Sequence, residues 1–213
     1  MEIRREAGKI ERLKRDWIGN KKSAFTTIGA NGHAKYERAA HDYYATQPYA
    51  VELLLKEERF ANIIWETACG EGHISKVLEA HGYQVISTDL INRGFGGHKP
   101  LDFFACKEPI LSDEAFDIVT NPPYTYSQAF VEKALEMVAD GRKVAMFLKL
   151  TFLESKGRKP FFLKYPPRTV YVSSNRLACG RNGVFDPRLR AIAYAWYVWI
   201  KGFKGDPIIR WIN

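Results

Sequence analysis

The chain has 213 residues, 46% of them hydrophobic and 14% aromatic, with a formal net charge of +8; this is enough to bury one sizeable core and short for two independent enzymatic domains. Its longest apolar run, Ala191 to Ile200, is half the length that crosses a bilayer, and the N-terminus opens on charged residues rather than an apolar signal core, so a cytoplasmic protein with no membrane association is expected. Cys69, Cys106 and Cys179 make neither a disulfide framework nor a paired metal spacing, and the five histidines show no ligand spacing, which argues against an oxidised secreted scaffold and against a metal site.

In chain order, Ile3, Ala7, Ile10, Leu13 and Trp17 fall at helical spacing among charges, predicting an amphipathic helix over 2–17, and the Gly-, Asn- and Lys-rich stretch to residue 40 reads as a basic arm. A helix is expected from Pro48 to about Arg59. Short apolar runs then alternate with helical stretches, the pattern of parallel strands joined by crossover helices. Strands are expected at Ala61–Trp65, Tyr83–Thr88, Phe116–Thr120 and Lys143–Leu150, with Phe103–Phe104 in or beside a short one. Helices are expected at His73–His81 and Ser127–Ala139. In the last third, Thr169–Ser173 and Ala191–Ile200 read as strands separated by a basic, Gly-containing loop, and Ile208–Ile212 is β-like. The order predicts an α/β domain over 41–213, a doubly wound, mostly parallel sheet in three α/β/α layers with an antiparallel closing hairpin.

Glu66-Thr-Ala-Cys-Gly70-Glu-Gly72 follows a strand and precedes a helix, the context in which glycines let a backbone turn sharply toward a ligand that meets free helix N–H groups. A dinucleotide loop would carry a third glycine where this chain has Ser75, which argues against NAD. Asp89, at the end of the next strand, stands where an acid can accept both ribose hydroxyls. Taken alone, such an acid is an ordinary turn residue; its order after the glycine pair gives it meaning.

Asn121-Pro122-Pro123-Tyr124 caps a central strand on the edge where open α/β sheets bind ligands. An exocyclic amino group on a purine, or an amide, is a poor nucleophile because its lone pair is conjugated away. It must be oriented by acceptors on its protons. The Asn121 side-chain oxygen and the carbonyl between the prolines can supply two, the prolines fix φ, and Tyr124 offers an aromatic face for a flat target.

Glu66–Gly72, Asp89, Asp102-Phe103 and Asn121–Tyr124 together resemble, in order, the motifs of class I S-adenosylmethionine (SAM)-dependent amino-methyltransferases, most closely the DNA N6-adenine enzymes, including small phage-encoded ones. The resemblance spans roughly residues 43–155 and implies a Rossmann-like methyltransferase fold with SAM as cofactor. It implies that Glu66 and the Ala68, Cys69, Gly70 and Gly72 backbone hold the methionine part. Asp89, with Leu90 beside it, would hold the ribose, and Asp102 with Phe103 the adenine. Tyr44-Ala-Thr46-Gln47-Pro48 looks like the segment that contacts the methionine end from the N-terminal side, and Asn121 and Pro122 would grip the target nitrogen. The same motif occurs in RNA adenine and protein-glutamine methyltransferases, and a nucleic-acid-binding module with a vestigial SAM site is a further alternative. Restriction-type relatives carry a large recognition region; here eighteen residues separate Asp102 from Asn121.

Charge distribution bears on the substrate. Residues 39–140 carry seven basic and sixteen acidic residues, whereas residues 141–213 carry fifteen basic and three acidic. Within 156–190, Lys156, Arg158, Lys159, Lys164, Arg168, Arg176, Arg181, Arg188 and Arg190 are opposed by Asp186 and interleaved with Phe161, Phe162, Tyr165, Tyr171 and Phe185. Basic and aromatic residues in alternation suit nucleic acid, and the resemblance puts DNA ahead of RNA. Lys156, Arg158, Lys159, Arg176 and Arg181 are the expected contacts; the alternative is aromatics in the core with charges facing water. Oligomeric state has no signature in the sequence.

Overall fold

The computed structural model describes residues 43–111, 114–177, 179–181 and 192–213, with Arg181 described by its backbone alone. The expected N-terminal helix and arm, the Arg181 side chain, and Phe185, Asp186, Arg188 and Arg190 lie outside the described residues. The strands are Tyr44–Thr46 (β1), Ile63–Glu66 (β2), Gln84–Asp89 (β3), His98–Pro100 (β4), Phe116–Thr120 (β5), Lys143–Lys149 (β6), Thr169–Ser173 (β7), Cys179–Arg181 (β8), Tyr194–Ile200 (β9) and Ile208–Ile212 (β10). The α-helices are Pro48–Glu57 (α1), His73–Ala80 (α2), Ser127–Met137 (α3) and Lys159–Lys164 (α4).

Eight strands form one sheet in the order β10-β7-β9-β6-β5-β2-β3-β4. All its pairings are parallel except those of β9, which runs antiparallel to both β6 and β7. The architecture is the mixed α/β sheet expected, and the antiparallel hairpin is present. Its placement is more specific than the sequence suggested: β9 wedges between β6 and β7, and β10 ends the sheet parallel to β7. β1 and β8 pair outside this sheet as a two-stranded ribbon, Thr46 opposite Cys179. The short strand near Phe103 is β4, upstream; Phe103–Ala105 is a turn of 3-10 helix, opened by the Asp102 carboxylate accepting the Phe104 N–H at 2.9 Å.

The central strands are apolar on both faces because both faces are covered. Along β2, Ile63 and Trp65 belong to the core on the face that also takes in α3 and Phe161 of α4, while Ile64 belongs to the core on the face of α1 and α2. The same alternation divides β6, with Val144, Met146 and Leu148 on the first side and Ala145 and Phe147 on the second. Pro48 occupies the first turn of α1, where its missing N–H costs nothing. Two packed faces leave the C-terminal strand ends as the open edge, and β2, β3 and β5 deliver Glu66, Asp89 and Asn121 there. No helix among the described residues is long and apolar enough to cross a membrane.

Candidate active site

The glycine loop after β2 is shaped by two residues with positive φ, Gly70 (+55°) and Gly72 (+76°). Neither has room for a side chain: a Cβ on Gly70 would stand 2.4 Å from the Tyr43 ring, and one on Gly72 2.5 Å from the Phe95 ring. The loop is tied to β3, since Gly70 N donates to Asp89 Oδ2 (2.8 Å) and Cys69 N to the Thr88 carbonyl (2.9 Å). Ser75, in place of a third glycine, is buried on α2 and donates to the Glu66 carboxylate, with Ser87 Oγ 2.6 Å beyond. Burial drives the Glu66 carboxyl well above its ordinary pKa, the Ser75 bonds offsetting part of the rise. Glu66 therefore faces inward and borders a small recess of about 20 Å³ beside the loop.

A larger cavity of about 730 Å³ opens along the strand ends, bordered by Thr67 and Ala68, then Asp89, Leu90 and Arg93, then Asp102, Phe103, Phe104 and Phe130, with Asn121, Pro123 and Tyr126 along its other side. Its far end is aromatic: Phe103 stacks on Phe130 with ring centroids 5.2 Å apart and meets Trp65 edge-on. Asp89 is fixed by two backbone donors, Gly70 N and Ile91 N (2.9 Å). Each of its oxygens keeps a further lone pair for a ligand hydroxyl.

On the cavity's other side, the Asn121 amide is anchored by its nitrogen, which donates to the Tyr44 carbonyl (2.7 Å) and to Thr46 Oγ1 (2.9 Å). A carbonyl accepts and never donates, so this contact fixes which end of the amide points away. Pro122 is buried and Pro123 borders the cavity. The Tyr124 ring lies between Tyr44 and Tyr194, with centroids 5.5 and 5.7 Å away, its hydroxyl 3.2 Å from Cys179 Sγ and Lys149 Nζ 4.9 Å from its centroid. Burial raises the Tyr124 hydroxyl far above its usual pKa and the Cys179 thiol to about 12, so both are neutral at physiological pH. The ribbon of β1 and β8 thus supplies Tyr44, Thr46 and Cys179 as the mount of the Asn121–Tyr124 loop.

Among the described residues, four buried side-chain polar atoms have no hydrogen-bond partner: Thr67 Oγ1, Arg93 Nε, Thr120 Oγ1 and Asn121 Oδ1. Three of the four belong to residues that border the large cavity. Buried polar atoms are nearly always paired, so the three at the cavity are groups of its wall with hydrogen-bonding capacity unused within the described residues.

The remaining expected residues divide. Tyr44 borders both hollows, Cys69 the small recess, and Gln47 precedes α1 as its N-cap. Of the basic segment, Lys156, Lys159 and Arg176 are exposed, whereas Arg158 Nη1 donates to the carbonyls of Thr151, Phe152 and Glu154 and its guanidinium lies 4.7 Å from the Phe152 centroid. Phe161 and Tyr171 are buried, and Phe162 and Tyr165 pack against the core. Sequence reasoning missed Tyr43, Thr67, Arg93, Tyr126 and Phe130; the run Arg93-Gly-Phe-Gly-Gly97 was a loop signal beside the site. No group of three or more His, Cys, Asp or Glu among the described residues could hold a metal ion.

No family model and no curated protein matches this chain. Solved structures do. A candidate class I SAM-dependent methyltransferase from Listeria monocytogenes aligns over 77% of this chain and 62% of its own length, at 12% identity and a TM-score of 0.50. A candidate hemolysin from Lactococcus lactis aligns over 76% and 91%, at 12% identity and 0.54. A structure described under the conversion of a disulfide bond into a thioacetal group during echinomycin biosynthesis aligns over 76% and 84%, at 13% identity and 0.52. The chain spans less than two thirds of the Listeria protein's length. At these identities the likeness is one of fold: the chain has the Rossmann-like architecture that a candidate class I methyltransferase shares.

Proposed function

We propose that this chain transfers a methyl group from SAM to the N6 amino group of adenine in DNA, with 41–213 as the catalytic domain and residues 1–40 as an N-terminal amphipathic helix and basic arm. The observation that carries the reading is Asn121 Oδ1: buried, without a partner among the described residues, and held on the cavity wall by two bonds to its own nitrogen.

The residues present fit SAM. Phe103, Phe104 and Phe130 suit its adenine, Asp89 its ribose hydroxyls, and Thr67 with the glycine loop its amino-acid end. When bound, SAM supplies a methyl group on a positively charged sulfur, activated toward nucleophiles. The protein's part is orientation. Asn121 Oδ1 accepts one N–H of the target amino group, and the Nδ2 anchors stop the amide from turning. The Pro122 carbonyl is assigned the second N–H. Tyr124, its ring set between Tyr44 and Tyr194 and its hydroxyl against Cys179, does not border the cavity and braces the loop instead of offering the expected face, so Tyr126, 57% exposed on the cavity rim, is the ring surface assigned to the base. The neutral Tyr124 and Cys179 groups suit direct transfer without a covalent enzyme intermediate.

Nucleic acid is favoured by the exposed Lys156 and Lys159, carried on segments that leave β6 at the same strand edge as Asn121. The test is methyl incorporation from labelled SAM into DNA, RNA and protein. Label in DNA, sensitive to DNase and abolished by Asn121→Ala, is expected. Label confined to RNase- or protease-sensitive product would reject the DNA reading, and label persisting in Asn121→Ala would reject the role of Asn121.

A further inference from the structure

The segment after β3 folds back over the glycine loop. Asp89 Oδ1 accepts the Ile91 N–H at 2.9 Å, Asn92 Oδ1 accepts the Gly94 N–H at 2.8 Å, and the Phe95 ring fills the space that a side chain on Gly72 would take. The backbone on either side of Arg93 is thereby pinned. The Arg93 guanidinium carbon lies 4.1 Å from the centroid of the Tyr43 ring, which in turn covers Gly70, and the Tyr43 hydroxyl accepts the Glu71 N–H at 3.3 Å. Arg93 borders the 730 Å³ cavity at its glycine-loop end, and its Nε is buried with no partner among the described residues.

The charges around that cavity are few. Among the described residues that border it, Arg93 is the one cation, facing two carboxylates, Asp89 and Asp102. SAM carries the complementary set: a sulfonium and an ammonium, both positive, and one carboxylate. With adenine among Phe103, Phe104 and Phe130 and ribose at Asp89, the amino-acid end reaches the glycine loop, where Arg93 and the unpartnered Thr67 Oγ1 are found. A stacked guanidinium is oriented in advance and matches the two oxygens of a carboxylate.

Building on the SAM reading above, we infer that Arg93 is the anchor for the α-carboxylate of the cofactor, held in place by its stack on Tyr43 and by the Phe95 plug on Gly72. Arg93 is then what separates SAM and its demethylated product from adenosine-like compounds that lack the amino-acid end.

The experiment titrates the full chain, wild type and Arg93→Met, with S-adenosylhomocysteine and with 5′-methylthioadenosine, which keeps the nucleoside and sulfur but has no carboxylate. Loss of one charged, paired contact weakens binding by about 10- to 100-fold. Arg93→Met should lose that much affinity for S-adenosylhomocysteine and bind 5′-methylthioadenosine as the wild type does, and Arg93→Lys should recover part of the loss. Retained 5′-methylthioadenosine binding also shows that the variant is folded. Equal weakening toward both compounds, or toward neither, overturns the anchor. A wild-type chain that binds neither compound removes the SAM reading itself, a result distinct from any seen with the variants.

Discussion

At the N-terminal end of β5, Asp117 is buried and both carboxylate oxygens are used: Oδ2 accepts the Ala61 N–H at 2.6 Å and Oδ1 the Lys143 N–H at 2.7 Å, stapling the approaches to β2 and β6. Nearby, Glu58 receives Lys143 Nζ at 2.5 Å and the Tyr171 hydroxyl at 2.6 Å. At the C-terminal end of the same strand, Asn121 is held just as firmly by its nitrogen, yet its oxygen is buried without a partner, as are Thr67 Oγ1 and Arg93 Nε around the adjoining cavity. Among the described residues, the polar side chains named at the first end are paired within the protein, whereas three buried polar atoms around the cavity at the other are not. On the proposed function, the difference separates residues that hold the fold from residues that meet a ligand.

Substitutions at the two ends should therefore fail in different assays. The largest effect is expected from Asn121→Ala: at least about a 100-fold loss of methyl-transfer rate, comparable with removing one preorganised hydrogen-bonding group, with S-adenosylhomocysteine affinity retained in calorimetry. A comparable loss of cofactor affinity would break the contrast, because it would place Asn121 on the cofactor. Next, Asp117→Ala should cost about 3 kcal/mol of unfolding free energy in urea, since it leaves two backbone N–H groups, those of Ala61 and Lys143, without their acceptor. A drop in cofactor affinity with unchanged stability would contradict its structural role.

Gly72→Ala lies between the two classes. The new Cβ meets the Phe95 ring at a φ of +76°, so about 1–3 kcal/mol of stability and part of the cofactor affinity should fall together, the first read by denaturation and the second by calorimetry. The smallest effect concerns Glu66. Below about pH 4 its carboxyl is protonated in both the folded and the unfolded chain. Above that, the unfolded chain releases the proton while burial keeps it on the folded one, so stability drains as pH rises toward the raised native pKa. Glu66→Gln removes this term. The melting temperature of the wild type relative to Glu66→Gln should decline from pH 4 to pH 8, and a flat difference would show that Glu66 is ionised when folded.

Much of the architecture was legible because the chain writes it locally. Ile63-Ile-Trp65 and Phe116–Thr120 are continuous apolar runs that only a doubly covered strand can bury, and Ser127–Met137 shows helical spacing. Gly70, Gly72, Asp89 and Asn121 stood out because tight turns and ligand acceptors tolerate few residue types. The sequence could not show that Arg158 braces three carbonyls of its own turn rather than facing outward, nor that Phe161 and Tyr171 are core. A basic or aromatic residue looks the same in either setting until its neighbours are fixed.

The sequence by itself determined the alternating α/β order, the glycine turn, and the kinds of residue at the strand ends, since these follow from periodicity and backbone sterics over a few neighbouring positions. Tertiary structure alone decided that β9 enters between β6 and β7, that β1 and β8 join to mount Asn121, and that Tyr43 and Arg93 close over the glycine loop. Those contacts link residues far apart in the chain, Tyr44 to Asn121 and Thr46 to Cys179 among them. Which polar atom is left without a partner depends on the whole packed arrangement, and no local pattern encodes it.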